Sequence, residues 1–385
     1  MELNGVRIQC AVLKQNLAIF YDKKSISMSK KLAIVGAGAI GLTTALAIQR
    51  KFPNIDITIF TKEVSPHTTS DVAAGLWGPV YLRDTPDDKI AYWSQETYEQ
   101  LLTWWKQGGK KEIILHAFRR FFANNSNCKA RKYGVCLMPS VMLTDKSDFK
   151  LPKWLDSTLG YYILPKDELA KISNRIDVKL TAGVSFISFS WEGGLFLRTL
   201  QKQFTENGGK IVIQAVKKLQ ELKDFDVIIN CAGLGAGEIV GDQEMIPIRG
   251  QVRKVEAPWI YESCVLDVKP KVAYIIPNTH QLTLGGTANY DVHDTTISET
   301  DKINIVRDCN QLDRSLKSAK TLRDVVGLRP GRSQVRVDIE TVPHGDKELT
   351  VIHNYGHGGA GITLSLGCAE EASNLLQKIL TKSKL

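Results

Sequence analysis

The sequence of 385 residues lacks several features that would place it in a special class of protein. It has no run of 18 or more apolar residues, so neither a membrane-spanning helix nor a membrane partner is expected. Its seven cysteines are scattered and form no Cys-x-x-Cys pair, which argues against a disulfide framework and a zinc site and fits a reducing compartment. With 43% hydrophobic and 24% charged residues, the composition is that of a soluble globular protein, and the length predicts two domains or one domain with an insertion.

The formal net charge of +9 raises the question of a nucleic-acid partner. Basic residues concentrate between positions 110 and 132, but no recognised nucleic-acid-binding motif accompanies them. We therefore interpret this cluster as a solvated surface and predict no nucleic-acid partner. Residues 106–155 carry the weakest secondary-structure pattern, and we expect an insertion or a mobile edge of the second domain there.

The two ends of the chain carry separate signals. Residues 1–30 mix charged residues into short apolar pieces, and Lys14 and Gln15 interrupt the one stretch that could serve as the core of a secretory signal. We predict an N-terminal extension over residues 1–30. The last three residues, Ser383-Lys384-Leu385, match a peroxisomal address, which predicts an import receptor as a partner and a location in the peroxisome.

The first clear pattern after the extension is a βαβ unit. Lys31–Val35 is an apolar run suited to a buried parallel strand, Ala39–Arg50 has helical spacing of its apolar residues, and Asp56–Phe60 supplies a second strand. The turn between the first strand and the helix is Gly36-Ala37-Gly38-Ala39-Ile40-Gly41, which has the G-x-G-x-x-G spacing of a dinucleotide site.

Each glycine of this loop has a physical purpose. Gly36 permits the tight turn, Gly38 lets the backbone approach a pyrophosphate, and Gly41 permits close packing of the helix against the strand. The helix N-terminus, which includes Ala39 and Ile40, offers N–H groups and a partial positive charge to an anion. The loop therefore predicts a bound dinucleotide.

The position expected to bind the adenosine ribose departs from this pattern. An acidic residue usually follows the glycine loop by about 20 positions. Here Lys62 occupies that place, and Glu63 is the nearest acid. Because a lysine suits a 2′-phosphate, the loop alone leaves both FAD and NADP open, and an NADP-dependent dehydrogenase is an alternative at this point.

Periodicity and turn residues predict further elements along the chain. We expect helices at Trp93–Trp105, Leu195–Glu206 and Cys368–Ile379, strands at Lys210–Val216, 227–233 and Val351–Asn354, paired strands at Tyr274–Pro277 and Gln281–Gly286, and a polar turn at Glu340–Leu349.

Three segments resemble the D-amino-acid oxidase and D-aspartate oxidase family. They are residues 68–77 (TTSDVAAGLW), 326–330 (VGLRP) and 353–361 (HNYGHGGAG), and the resemblance runs from about Lys31 to Leu385. It implies an α/β fold with a Rossmann-type FAD-binding domain built from both chain ends and an interleaved α+β substrate domain. By this organisation residues 31–85, 190–245 and 320–385 form the FAD-binding domain, and residues 86–189 and 246–319 form the substrate-binding domain.

The resemblance also implies FAD as the cofactor. It assigns cofactor contacts to Thr68, Thr69, Ser70, Gly75 and Leu76 around the diphosphate and flavin ring, to the backbone of Val216 at the adenine, and to Gly358, Gly359, Gly361, Ile362 and Thr363 along the flavin. No metal is expected, because the glycines between His353 and His357 destroy the helix that a metal pair at this spacing would need.

The implied reaction takes a D-amino acid and oxygen to a 2-oxo acid, ammonia and hydrogen peroxide by hydride transfer to the flavin N5. Arg329 would anchor the α-carboxylate with two parallel hydrogen bonds, and Tyr274 would share that carboxylate. The backbone carbonyl of Gly359 would accept a hydrogen bond from the amino group. Arg332 and Arg336 are predicted to be outward-facing strand residues.

Residues that distinguish the subclasses point in two directions. Pro270 stands where enzymes with neutral substrates often have a second tyrosine, and Ala288 stands where the aspartate-specific relatives have an arginine. Lys269 and Lys271 could pair with an acidic side chain of the substrate, but solvated loop lysines are the favoured interpretation. Broad D-amino-acid oxidation is favoured, D-aspartate oxidation is the alternative, and an inactive peroxisomal homologue is a remote one. The sequence leaves a homo-oligomer open.

Overall fold

A computed structural model describes residues 30–107, 129–268, 271–345 and 347–382. The strands are β1 Lys31–Val35, β2 Asp56–Thr61, β3 Val135–Thr144, β4 Tyr161–Ile163, β5 Ala182–Trp191, β6 Lys210–Ile213, β7 Val227–Asn230, β8 Ile246–Glu256, β9 Ser263–Val268, β10 Lys271–Pro277, β11 Leu282–Gly285, β12 Asn289–Tyr290, β13 Lys320–Gly331, β14 Arg336–His344 and β15 Lys347–Tyr355.

Helices cover the faces of the sheets that these strands form. They are α1 Ala39–Lys51, α2 Thr69–Val72, α3 Asp87–Lys106, α4 Lys129–Lys132, α5 Lys166–Ile176, α6 Gly193–Glu206, α7 Ala236–Val240, α8 Glu299–Leu312 and α9 Gly361–Lys382, with short 3₁₀ turns at Lys153–Ser157, Leu219–Leu222, Gly233–Gly235 and Arg314–Ser318. None of the helices in the described part of the chain is long and apolar enough to cross a membrane.

The first sheet has six strands in the order β14-β15-β7-β1-β2-β6. All neighbours run parallel except β14, which pairs antiparallel with β15 at one edge. Strand β1 is buried from its second residue onward because it lies inside a parallel sheet with both faces covered. Helix α1 packs against α6 on one side and against the C-terminal helix α9 on the other.

The second sheet has nine strands. Eight follow the order β12-β8-β11-β10-β9-β3-β5-β4, and the ninth, β13, also pairs with β8. Its pairings are antiparallel apart from β3 with β9. A parallel first sheet from both ends of the chain, joined to a largely antiparallel second sheet, confirms the predicted α/β class and its interleaved order.

Several elements match the sequence-based expectations. Strand β1 has the predicted bounds, and helix α1 extends only one residue beyond the predicted end at Arg50. The predicted pair around Tyr274 is present, with Tyr274 opposite Gly285.

Other expectations were wrong in detail. Glu340–Leu349 is not a polar turn, since β14 and β15 form a hairpin through it, with a turn between His344 and Lys347. Helix α9 begins at Gly361, seven residues before the predicted start at Cys368. Its first turns are buried on all sides, so their sequence lacks the apolar periodicity that marks a helix. Strand β6 ends at Ile213, which leaves Val216 in the following loop.

Two segments bear on the domain boundaries, which stay a prediction. Strand β13, assigned with residues 320–331 to the FAD-binding domain, pairs within the second sheet. Helix α3, assigned to the substrate domain, packs against both α9 and the 3₁₀ turn at Lys153–Ser157. Within residues 106–155, β3 is a ten-residue strand inside the second sheet rather than a mobile edge, and residues 108–128 lie outside the described residues.

Candidate active site

A cavity of about 1490 Å³ is lined by residues of both sheets. It is larger than the roughly 300–1000 Å³ typical of small-ligand pockets, so it has room for a dinucleotide together with a substrate. Of the predicted site residues it brings together Gly36, Gly38, Ala39, Ile40, Lys62, Glu63, Thr68, Thr69, Ser70, Gly75, Leu76, Val216, Tyr274, Arg329, Gly358, Gly359, Gly361, Ile362 and Thr363.

The glycine loop is fixed by the end of β2. The Gly36 N–H donates to the Phe60 carbonyl at 2.8 Å, and the Ala37 N–H donates to the Thr61 hydroxyl at 3.2 Å. Gly36 has φ +104°, which a side chain would strain. Gly41 does not line the cavity, but a Cβ there would lie 1.9 Å from the Gly36 carbonyl oxygen, so its role is close packing, as predicted from the motif.

The N-terminus of helix α1 meets the cavity without a side-chain cap. Its N-cap residue is Gly38, and its first turn contains no acidic residue. The Ala39 N–H donates to the Ser70 hydroxyl at 3.1 Å, which links this turn to the second predicted cofactor segment. Because no side chain caps this end and no acidic residue lies in its first turn, its N–H groups and the positive end of the helix dipole suit the pyrophosphate of a dinucleotide.

One end of the cavity carries the residues predicted near the adenosine. Lys62 and Glu63 are both exposed there, and Val216 lies nearby in the loop after β6 with its side chain buried. The contact to the ribose stays a prediction, because both the basic and the acidic candidate line this end.

The segment Thr68–Ser70 is ordered by a residue that sequence reasoning missed. The Asp71 carboxylate accepts hydrogen bonds from the Thr68 N–H at 2.9 Å, the Thr68 hydroxyl at 2.7 Å and the Ser65 hydroxyl at 2.6 Å. The Thr68–Asp71 exchange is a capping box, whose Thr-x-x-Asp spacing is readable in the sequence.

The next part of this segment is held against β5. The Trp191 N–H donates to the Gly75 carbonyl at 2.6 Å, and the Trp77 N–H donates to the Phe189 carbonyl at 2.7 Å. A Cβ on Gly75 would lie 2.1 Å from the Trp191 carbonyl oxygen, so only glycine allows this approach. From the other end of the chain, the buried Thr363 hydroxyl donates to the Leu76 carbonyl at 3.3 Å, which joins the two predicted flavin segments.

A buried polar network supports the same loop from the second sheet. The Lys254 amine donates to the Thr283 hydroxyl at 2.8 Å and to the Ala73 carbonyl at 3.3 Å, and the Asn278 amide donates to the Ala74 carbonyl at 2.9 Å. Burial lowers the pKa of Lys254 to about 7. Lys254 acts as a positioning residue, and nothing in its local sequence pattern pointed to this contact.

The glycine-rich turn before α9 forms another wall. The Gly358 N–H donates to the Pro330 carbonyl at 2.8 Å, which ties the turn to the residue after Arg329. A Cβ on Gly358 would lie 2.1 Å from the Tyr81 carbonyl oxygen, and a Cβ on Gly359 would lie 2.6 Å from the Tyr81 ring. Tyr81 therefore covers this turn, and no side chain fits at either glycine.

Arg329, Tyr274 and Tyr81 form the polar end of the cavity. The Arg329 guanidinium lies over Gly250 and donates to the Thr287 carbonyl at 3.1 Å, with its carbon 5.4 Å from the centroid of the Tyr81 ring. It is also a hydrogen-bond partner of the Tyr274 hydroxyl.

The two hydroxyls at this end stay protonated near neutral pH. Burial raises the pKa of Tyr274, and the nearby Arg329 only partly opposes that rise. Burial raises the pKa of Tyr81 as well. A guanidinium beside a phenol that keeps its proton can bind a carboxylate through several donors. Sequence reasoning missed Tyr81, since its position after Pro79-Val80 carries no motif.

The shape and charge of the cavity wall test whether these residues fit a cofactor. The N-terminus of α1 beside Gly38 has no side-chain cap and no acidic residue in its first turn, and it opens into a cavity large enough for a dinucleotide. Free N–H groups at a helix N-terminus suit a pyrophosphate. The residues present therefore fit FAD, which would supply a ring that accepts two electrons.

Lowered basicity of His357 predicts a pH dependence of stability. Burial lowers its pKa to about 3, below the ordinary value of about 6.5 that it regains on unfolding. The unfolded chain therefore binds a proton that the folded chain rejects, and stability is lost as the pH falls from about 6.5 towards 3, by at most about 1.4 kcal/mol per pH unit.

Urea unfolding of the FAD-saturated protein between about pH 7 and about pH 5 measures this loss. We expect the His357→Gln variant to lose less stability over this range than the wild type. His353 titrates in both proteins, so the difference between them reports His357. Equal slopes in both would contradict the assignment.

Three basic residues differ from their predicted places. The Lys271 amine is bound by Asp308 at 3.2 Å and Gln311 at 3.0 Å and does not line the cavity. Arg332 does not face outward, since its side chain is 15% exposed and bonds Asp242 at 2.9 Å. Arg336 is only 20% exposed, because it reaches back to Glu340 at 2.8 Å. Lys269 and Pro270 lie outside the described residues.

Comparisons with known proteins show the family of this chain. Residues 31–375 match the model of the family described as "FAD dependent oxidoreductase" (DAO). A D-amino acid oxidase of Dugesia ryukyuensis is 34% identical over 92% of this chain and 99% of its own length. A D-aspartate oxidase of Homo sapiens is 33% identical over 90% of this chain and 95% of its own length.

Solved structures show the same fold at lower sequence identity. The glycine oxidase of Geobacillus kaustophilus superposes with a TM-score of 0.68 at 16% identity, over 91% of this chain and 95% of that one. The family match leaves the NADP alternative without support, since the cofactor of this family is FAD. The protein is a member of the DAO family of FAD-dependent oxidoreductases.

Proposed function

We propose that this protein oxidises D-amino acids to 2-oxo acids and ammonia and reduces oxygen to hydrogen peroxide. The observation that carries the proposal is that Arg329 and the Tyr274 hydroxyl lie together in the cavity that the glycine loop also lines. One cavity therefore offers a carboxylate anchor beside a place for FAD. The names of the relatives, D-amino acid oxidase and D-aspartate oxidase, support the same reaction class.

The residues of this chain orient the substrate. Arg329 and Tyr274 hold the α-carboxylate, and the carbonyl of Gly359 accepts a hydrogen bond from the α-amino group. With the α-carboxylate and the α-amino group fixed, the two enantiomers differ in which of the two remaining positions on Cα holds the hydrogen. Only one enantiomer therefore presents its hydrogen to the flavin. Tyr81 and Val80 pack against Gly359.

The overall change is a two-electron oxidation. FAD, held by the glycine loop and the turn before α9, would supply the acceptor for the electron pair of the Cα–H bond, with oxygen as the final oxidant. The amino nitrogen would lose a proton as it forms a double bond to Cα. Water hydrolyses the imino acid that leaves. Broad D-amino-acid specificity is the favoured form, with D-aspartate oxidation as the alternative.

Peroxide release by the purified, FAD-containing protein tests the proposal. D-alanine, D-methionine and D-aspartate are compared with their L-enantiomers at equal concentration. We expect peroxide with at least one D-enantiomer and none above background with the L-enantiomers. Equal rates for both enantiomers, or no peroxide with any of them, would refute the proposed site.

The same proposal includes a location in the peroxisome through Ser383-Lys384-Leu385, which lies outside the described residues. A product that is hydrogen peroxide suits that compartment. A fluorescent reporter that ends in the last residues of this chain should colocalise with a peroxisomal marker, and one ending in Ser-Lys-Asp should not. Identical diffuse signals would exclude the address. A homo-oligomer is left to a measurement of the molar mass in solution.

A further inference from the structure

One face of the second sheet forms the wall of the cavity at its substrate end. Alternate residues of five strands face it, namely Met142, Gly250, Val252, Val265, Asp267, Val272, Tyr274, Ile276, Gly327 and Arg329. Tyr274 is opposite Val265, and Val272 is opposite Asp267. Directly opposed residues point to the same face, so Asp267 lies one strand from Tyr274, roughly 5 Å across and roughly 7 Å along.

Asp267 is the one acidic residue among the described residues of this sheet that line the cavity, and it is paired with Lys146. The Lys146 amine lies 2.6 Å from Asp267 Oδ2, and both side chains line the cavity. The Thr144 hydroxyl fixes the pair by donating to the Asp267 carbonyl at 2.9 Å and accepting from the Lys146 N–H at 3.2 Å. These contacts lie outside the glycine loop, Arg329 and Tyr274, so the function derived above does not use them.

The carboxylate is the fixed member of the pair. Asp267 stands on β9, whereas the Lys146 amine reaches it from the loop after β3 on a flexible four-carbon stem, with 42% of its side chain exposed. A carboxylate has about four acceptor positions, of which Lys146 takes one, so it can accept a second cation.

Both members of the pair act on Tyr81 at the substrate end. Burial raises the pKa of Tyr81 and Arg329 opposes that rise, while Asp267 raises this pKa and Lys146 lowers it. Of the two lysines that could pair with an acidic side chain, Lys271 lies in the described part of the chain. Asp308 binds its amine, and it does not line the cavity.

From this placement we propose that Asp267 selects D-amino acids whose side chains end in a cation, such as D-lysine and D-arginine. The proposal rests on the proposed function and names its substrate class. The stem of such a side chain would pass Val265, Val272 and Met142, and its cation would meet the carboxylate beside Lys146.

Matched substrates isolate the terminal charge. D-norleucine has the carbon chain of D-lysine without its amine, so the ratio of their kcat/KM values measures recognition of that amine. We expect D-lysine to be favoured by about tenfold, and Asp267→Asn to bring the ratio to about one. Asp224→Asn, which removes an exposed carboxylate in the turn before β7, is the control and should keep the wild-type ratio.

Binding without turnover gives a second readout. 6-Aminohexanoate and hexanoate keep the carboxylate and the chain but lack the α-amino group, so they cannot be oxidised. Calorimetry on the FAD-containing protein should show tighter binding of 6-aminohexanoate by about tenfold, a difference that Asp267→Asn removes. Lys146→Met should increase this preference, because it removes the competing cation.

Two results would overturn the proposal. One is a D-lysine to D-norleucine ratio that Asp267→Asn leaves unchanged. The other is a preference for D-glutamate over D-lysine that Lys146→Met abolishes, which would make Lys146 the recognition group. If D-norleucine and D-alanine are themselves not oxidised, the proposed function fails as well. Oxidation of both with an unchanged ratio overturns only the role of Asp267.

Discussion

Replacing Arg329 with alanine is expected to lower kcat/KM for a D-amino acid by about a thousandfold while FAD stays bound. Arg329 is a hydrogen-bond partner of Tyr274 and packs over Gly250 at the end of the cavity away from the glycine loop. Losing a charge-assisted anchor for a desolvated carboxylate costs several kcal/mol in the transition state. Steady-state kinetics and the flavin absorbance of the purified variant measure the two effects separately.

Two variants control this experiment. Arg329→Lys keeps the charge but loses the planar pair of donors, so it should fall between the wild type and Arg329→Ala. Arg323→Ala removes an exposed arginine of the same strand, which bonds Gln281 at 2.9 Å, and should leave kcat/KM unchanged. Wild-type turnover at low substrate in Arg329→Ala would remove Arg329 from its role.

Two alanine substitutions in the glycine loop are expected to fail for different reasons. In Gly41→Ala the new Cβ would lie 1.9 Å from the Gly36 carbonyl oxygen, so the protein itself should lose about 3 kcal/mol or more of stability. In Gly38→Ala the new Cβ would meet only the Ser70 hydroxyl, at 3.4 Å. That protein should fold, but its methyl group would occupy the approach of the pyrophosphate and weaken FAD binding about a hundredfold.

Urea unfolding of the FAD-free proteins and FAD titration separate the two cases. The stability of FAD-free Gly38→Ala should stay near that of the wild type, while its affinity for FAD falls. Wild-type affinity in Gly38→Ala would mean that the pyrophosphate does not lie against this loop.

Local signals predicted the parts of the fold that are determined locally. The unit β1-α1-β2 combines a buried apolar strand, a glycine turn and an amphipathic helix, and the structure reproduces it nearly residue by residue. Arg336 was predicted to lie on a strand, but the hairpin that joins β14 to β15 was missed because β14 continues through polar residues at the edge of the sheet. Helix α9 was predicted to begin too late because glycines precede residues that are buried on every side.

The residues of the site divide into those that a sequence motif marks and those that only tertiary packing brings there. Motif-bearing residues such as Gly36 and Arg329 were predicted, since their neighbours in sequence mark them. Tyr81 and Asp267 reach the cavity, and Lys254 reaches the loop beside it, only through tertiary packing. A single sequence gives no signal for such contacts, because the partners are far apart along the chain.

Delivery of the Cα hydrogen of a D-amino acid to FAD within one cavity can be observed in a single turnover. The purified yellow protein is mixed with D-alanine or D-lysine in the absence of oxygen. We expect the flavin absorbance to bleach fully, one 2-oxo acid to form per flavin after hydrolysis of the imino acid, and the L-enantiomers to leave the spectrum oxidised. Bleaching by both enantiomers, or a flavin that no D-amino acid reduces, would contradict this expectation.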